Sequence, residues 1–232
     1  MHILITTGPT REYIDPVRYI SNDSSGLMGI ALADTAMRHG FRITLISGPI
    51  TLRKGVGLLS IPKLRKSIRY ISVISAREMF AAVKKYYKRA DVIICAAAVA
   101  DFRSAKFCRT KIKKDHPHPS PSPIKGEGIT LRLVRNPDIL KWLGAHKRPG
   151  QILVGFALET ENLLKNASKK LREKKCDLIV ANKSSAIGAT KSSAFIINRT
   201  GIVADTKQKT KTALAKLILE MIKPDLKVGT AY

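Results

Sequence analysis

The chain has 232 residues, enough for one substantial core or two small ones. With 44% hydrophobic residues, no composition break and no apolar run near membrane-span length, it reads as one globular domain over residues 1–232, which excludes a transmembrane protein. A net charge of +25, from 42 Lys+Arg against 17 Asp+Glu, favours anionic partners: nucleic acid, acidic lipid or phosphorylated small molecules. The lysines are spread over many segments, so charge alone does not choose among these.

Residues 2–7 (HILITT) form a β-rich run, followed by a loop that turns at Gly8 and Pro9. This N-terminus has no charged leader or cleavage site, so a cytoplasmic protein is expected. Leu27, Ile30, Ala33 and Met37 step by three or four, which predicts a helix opening near Ser25 and stopping at Gly40. Residues 41–48 give a second strand, residues 55–61 a short extended piece, and residues 69–74 a third strand. Ser75, with Glu78 three residues later, opens the next helix as a capping box. ADVIICAAAVA (90–100) is the fourth strand.

Alternating strands and helices predict a Rossmann-like, mostly parallel sheet with helices on both faces. Ligands of such sheets bind beyond the carboxyl ends of the strands, so the loops at 8–26, 48–50 and 97–114 share one rim. The Pro-rich stretch at 116–128 (HPHPSPSPIKGEG) suits neither helix nor central strand and reads as a flexible insertion. Residues 129–134 resume as a strand, and Pro137 sits in the first turn of a short helix. A fifth parallel strand (151–158), a strong helix (159–175) and a sixth strand (177–182) follow. A hairpin about Arg199 and Thr200, then an amphipathic helix, complete the chain.

Several segments carry chemistry, each with an ordinary structural alternative. Ser21 to Gly26 (SNDSSG) open a helix and fit either an anion or acyl-phosphate site or a plain N-cap. The sequence lacks the P-loop pattern and the dinucleotide glycine fingerprint, which weighs against a nicotinamide oxidoreductase. With Ala167 at zero and about 100° per residue, Lys174 falls near about −20° and Lys170 near about −60°, bordering the buried face. Their ammonium groups can reach a phosphate chain, or their stems can simply cover apolar surface. Phe156 can stack on a base or fill the core. Of the three cysteines, Cys95 and Cys176 read as buried thiols, and Cys108 as a spacer or a reactive group. No metal-ligand spacing links the cysteines to the five histidines.

Taken in order, TREYIDPVRYISNDSSGLMG, TLISGP, AAAVADF…KIKK, NPDIL, VGFALET and KKLREKKCDLIVAN resemble phosphopantothenoylcysteine synthetase, the ligase of coenzyme A biosynthesis. The resemblance runs from residue 10 to 182. It implies a free-standing ligase without flavin, with a flap carrying the KIKK lysine and a C-terminal hairpin, usually working as a homodimer. It also implies CTP as nucleotide substrate (ATP in animal members), accompanied by Mg²⁺, with 4′-phosphopantothenate and L-cysteine as the other substrates. Phosphopantothenate is activated as an acyl-nucleotidylate, and the cysteine amine then displaces the nucleotide monophosphate.

By matching position, Asn22 would stabilise formation of the acyl-nucleotidylate, and Lys111 would serve the second step beside the nucleotide. Ala96, Ala97, Ala98 and Asp101 would contact the nucleotide. Asn136, Pro137, Asp138, Ile139, Leu140 and Phe156 would line its pocket. Lys170 and Lys174 would bind the triphosphate. The chain departs from the pattern at Leu27, where family members commonly carry Lys, and at Asp23, where they carry a basic residue. The competing reading is a basic nucleic-acid-binding Rossmann-like protein without catalysis.

Overall fold

A computed structural model describes residues 1–50, 68–113, 130–183 and 191–222. The extended piece at 55–61 and the Pro-rich insertion at 116–128 lie outside the described residues. Among the described residues no helix is long and apolar enough to cross a membrane.

The elements run β1 (His2–Thr7), β2 (Arg11–Tyr13), β3 (Tyr19–Ser21), α1 (Leu27–Arg38), β4 (Arg42–Ser47), β5 (Ile68–Ser72), α2 (Ala76–Tyr86) and β6 (Val92–Cys95). They continue with β7 (Phe102–Ser104), β8 (Leu133–Arg135), α3 (Ile139–His146), β9 (Ile152–Glu159), α4 (Leu163–Glu173), β10 (Leu178–Lys183), β11 (Lys191–Asn198), β12 (Gly201–Thr210) and α5 (Lys211–Ile222). An eight-stranded sheet has the order β12-β11-β10-β9-β6-β1-β4-β5. The run from β10 to β5 is parallel; β11 adds antiparallel to β10, and β12 antiparallel to β11. The expected Rossmann-like sheet and terminal hairpin are therefore present.

Period-two alternation explains the two-faced core. Ile3 and Ile5 of β1 pack on one face with Ile30 and Met37 of α1 and Leu214 and Ile218 of α5. Leu4, between them, packs on the other with Met79 of α2, Leu143 of α3 and Leu171 of α4. Strands covered on both sides read as continuous apolar runs, which is why the strands were legible in sequence. At Ser75 the helix cap forms as predicted: its Oγ accepts from the Glu78 N–H (3.2 Å), while the Glu78 carboxylate accepts from the Ile74 N–H (2.9 Å).

Local detail both refines and corrects the expectations. The loop after β1 contains a small hairpin, with Arg11 paired to Ser21 and Tyr13 to Tyr19. Helix α1 is capped by Gly26 in the left-handed region (φ 70°), without a side-chain cap, so the serines before it are not its N-cap. There, an added Cβ would meet Ile50 Cγ2 at 2.5 Å. The run around 129–134 does not join the main sheet: β8 pairs with β7 as a separate two-stranded arm. Asp138 is the N-cap of α3, so Pro137 precedes the helix. Phe156 lies inside β9, opposite Val180.

Candidate active site

Strand order places the site. From β1 the chain steps outward to β4 and β5, then returns to the other side of β1 with β6 and continues to β9 and β10. The carboxyl ends of β1 and β6 are thus the switch point, where the two connections diverge and leave a crevice. Beyond β6 the backbone stays pinned to the loop after β1. The Ala96 N–H donates to the Thr6 carbonyl (3.1 Å) and the Ala98 N–H to the Gly8 carbonyl (3.0 Å). The Ala100 N–H donates to Thr10 Oγ1 (3.0 Å).

Two cavities open along this edge. One, of about 510 Å³, lies between the β6 end and the start of α3, and Asn136, Pro137, Asp138, Ile139, Leu140 and Lys174 line it. The other, of about 610 Å³, lies between the Ser21 to Met28 loop and the β9–β10 edge, and Asn22, Ala96, Ala98, Asn182 and Lys211 line it. Ala97, Val99, Asp101, Phe156 and Lys170 face both, so the two form one cleft with a shared wall. Of the residues predicted from sequence, all but Lys111 line this cleft. Lys111 is exposed on the loop beyond β7 and lines neither cavity.

Hydrogen bonds fix the cleft side chains. Asn22 Nδ2 donates to the Val99 carbonyl (3.1 Å), which lays the amide across the β6 end. Its other N–H and its Oδ1 remain available. Asn136 is held three times: its Nδ2 donates to the Ala100 carbonyl (2.9 Å), its backbone N–H donates to the Asp101 carbonyl (2.8 Å), and its Oδ1 accepts from Arg103 Nη1 (3.2 Å). Asp138 Oδ1 accepts from the Lys141 N–H (2.8 Å), while its Oδ2 pairs with Lys174 Nζ. Burial alone would raise the Asp138 pKa. The Lys174 hydrogen bond outweighs it, with the Lys141 N–H and the charges of Lys174 and Lys170, and holds the carboxyl below the usual range. Lys174 is therefore already neutralised, whereas the ion pairs among the described residues leave Lys170 out.

Cys95 and Cys176 are unsuited to attack. Burial, with Cys176 nearby, pushes the Cys95 thiol up to about 12. Burial and the Asp177 charge do the same to Cys176. Burial also lowers the Lys211 ammonium below its ordinary value. The cleft thus offers fixed amides, two ammonium groups outside the ion pairs of the described residues (Lys170 and Lys211) and backbone edges, a set suited to stabilising phosphoryl charge more than to proton abstraction. Among the described residues no three His, Cys, Asp or Glu side chains cluster to hold a metal.

Sequence reasoning missed Asn182 and Lys211. Asn182 lies near the end of the apolar strand β10, and its Oδ1 is buried without a partner among the described residues. Lys211 opens the final helix, where a lysine reads as solvent-facing. Only the break in apolar pattern after Ala181 marks either one.

A family model for the DNA/pantothenate metabolism flavoprotein C-terminal domain matches residues 1–226. The chain belongs to this family. The coenzyme A biosynthesis bifunctional protein CoaBC of Bacillus subtilis (strain 168) is 46% identical over 188 residues, which covers 81% of this chain and 41% of that protein. A solved C-terminal domain of a CoaBC protein shares 37% identity at a TM-score of 0.74, covering 95% of this chain and 93% of the other. A mutant of Cab2, solved in complex with phosphopantothenate-cysteine, shares the fold at 18% identity and a TM-score of 0.74, covering 95% of this chain and 84% of that one. The chain spans about half the length of the curated relatives it matches.

Proposed function

We propose that this chain is a phosphopantothenate–cysteine ligase that uses CTP. In the first step a carboxylate oxygen of 4′-phosphopantothenate attacks the α-phosphorus of CTP. The α–β phosphoanhydride bond breaks, and pyrophosphate leaves with its electron pair. In the second step the cysteine amine attacks the acyl carbon, loses a proton, and displaces CMP to form the amide.

The observation that carries this reading is the pair of cavities with one shared wall. The nucleotide takes the α3-side cavity, with Phe156 against the base or sugar. The acyl substrate takes the Asn22-side cavity. They meet at Ala97, Asp101 and Lys170, where an unpaired ammonium stands beside the transferred phosphoryl group. Asn22, locked onto Val99, presents its remaining N–H to the charge that develops in the first step. Lys111 is assigned to the second step, neutralising CMP as it leaves. Lys174 contacts the triphosphate while braced by Asp138. Mg²⁺ would enter with the triphosphate as part of the substrate and neutralise phosphate charge there.

A homodimer belongs to the same reading. The β7–β8 arm and its flanks expose Phe102, Phe107 and Leu133, a suitable face for a second copy.

The test is to incubate the protein with phosphopantothenate, cysteine, Mg²⁺ and either CTP or ATP, and to measure pyrophosphate and the amide product. Release with CTP supports the proposal. No release with either nucleotide, together with steeply salt-dependent DNA binding, would support the nucleic-acid reading instead.

A further inference from the structure

The described residues contain a buried carboxylate outside the cleft that the proposed chemistry does not use. Asp15 sits in the turn between β2 and β3, and its side chain is 0% exposed. A buried charge is tolerated only when donors surround it, and here they come from two parts of the chain. From its own turn, Oδ1 accepts the backbone N–H groups of Val17 (2.8 Å) and Arg18 (2.7 Å). From the loop ninety-seven residues later, Oδ2 accepts the backbone N–H of Ile112 (3.2 Å).

Arg18 closes the arrangement. One nitrogen, Nη1, donates both to Asp15 Oδ2 (3.1 Å) and to the Ile112 carbonyl (3.0 Å). Both polar groups of the Ile112 backbone are therefore held by the Asp15 turn. A further bond, from the Cys108 N–H to the Ile14 carbonyl (2.9 Å), fixes the other end of the same loop segment. Lys111 is the residue immediately before Ile112. The opposite end of this hairpin leads from Ser21 into Asn22. One short hairpin thus carries Asn22 at its exit and grips the backbone beside Lys111 at its tip.

We infer that Asp15 is a positioning residue for Lys111, acting through the Ile112 backbone and so governing the second step of the reaction selectively. This inference rests on the assignment of Lys111 to that step. A carboxylate that merely capped its own turn would affect folding, and both steps together. One that sets the Lys111 loop affects consumption of the acyl-nucleotidylate and leaves its formation intact.

Asp15→Asn keeps the shape, but puts an amide where the carboxylate accepts from three N–H groups. The experiment compares wild type, Asp15→Asn, Lys111→Gln and Ile112→Pro in three measurements. These are pyrophosphate burst without cysteine, decay of the acyl-nucleotidylate on adding cysteine (by mass spectrometry), and tryptic cleavage after Lys111 and Lys113. Misplacing a reacting group by about 1 Å can slow a step by about 100-fold, so a fall of at least about tenfold in the cysteine step is expected for Asp15→Asn. Its burst should be near wild type, and its cleavage after Lys111 and Lys113 faster.

Equal slowing of both steps, or unchanged cleavage, overturns the inference. Should Asp15→Asn not fold, Ile112→Pro removes the flap-side N–H and should give the same slow cysteine step with an intact burst; trypsin does not cut a Lys–Pro bond, so its loosening is read as faster cleavage after Lys113. A normal cysteine step in that variant also overturns the inference. If Lys111→Gln itself leaves the cysteine step unchanged, the assignment of Lys111 fails, and the cleavage comparison still decides whether Asp15 holds the loop.

Discussion

Asp138 has two duties that substitution can separate. Its Oδ1 caps α3 at 2.8 Å, and its Oδ2 pairs with Lys174. Replacing a good N-cap by alanine costs about 1 kcal/mol. The ion pair is worth less than its geometry suggests, because the Asp138 side chain is 44% exposed and water screens it; about 0.5 kcal/mol is a fair figure. Asp138→Ala should therefore lose about 1.5 kcal/mol, or about 3–6 °C in Tm for a chain of this size. Asp138→Asn keeps the cap and should lose only about 0.5 kcal/mol. The folded carboxyl is held below 3.8, so its advantage is complete above that pH and is lost as pH falls through the folded value. Thermal unfolding of the three proteins from pH 7 to pH 3 provides the assay, and wild type and Asp138→Asn should converge at the acid end. Equal losses for the two variants, or a gap that widens on acidification, would refute this account of the cap and the pair.

Other expectations concern the cleft and its packing. Asn22→Asp places a negative charge where phosphoryl charge develops, so pyrophosphate release should fall by about 100-fold or more; a smaller loss removes Asn22 from the first step. Lys170→Met keeps the apolar stem but removes the unpaired ammonium, and KM for CTP should rise about tenfold with a smaller effect on kcat. An unchanged KM in steady-state kinetics would place the triphosphate elsewhere. Gly29→Ala sets a methyl 2.2 Å from Thr7 Oγ1 on a buried face, so stability should drop by about 1–3 kcal/mol in chemical denaturation.

The legible parts of this molecule are those governed by local pattern. β1, β4 and β9 were visible because burial on both faces makes them continuous apolar runs. The Ser75 cap was visible because its partner lies three residues away. The cleft lining was anticipated on family resemblance, not from periodicity. What stayed hidden depends on long-range pairing. Nothing local announces that Phe102 will pair with Arg135, or that Arg11 will return to Ser21. Asp15 looks like an ordinary turn residue before a proline, and its burial follows only once residue 112 folds back onto it. Lys174 bordered the apolar face as the helix angles suggested, yet its partner came from a different helix, which helix geometry alone does not reveal.

The strand order has a consequence for synthesis. Strands β5, β4, β1 and β6 are neighbours and all lie within the first 95 residues, while β9 to β12 join afterwards on the β6 side. A growing chain can therefore assemble half of its sheet before the rest has left the ribosome. Asn22 and the three alanines after β6 belong to that early half, whereas Phe156, Lys170 and Asn182 arrive with the late one. The cleft is the seam between them. A nascent chain or early truncation product can thus own one wall of the cleft, but the wall shared by the two cavities is complete only once β9 and α4 have docked. Lys211, at the start of α5, joins the lining last, so the full cleft waits for the final helix to pack.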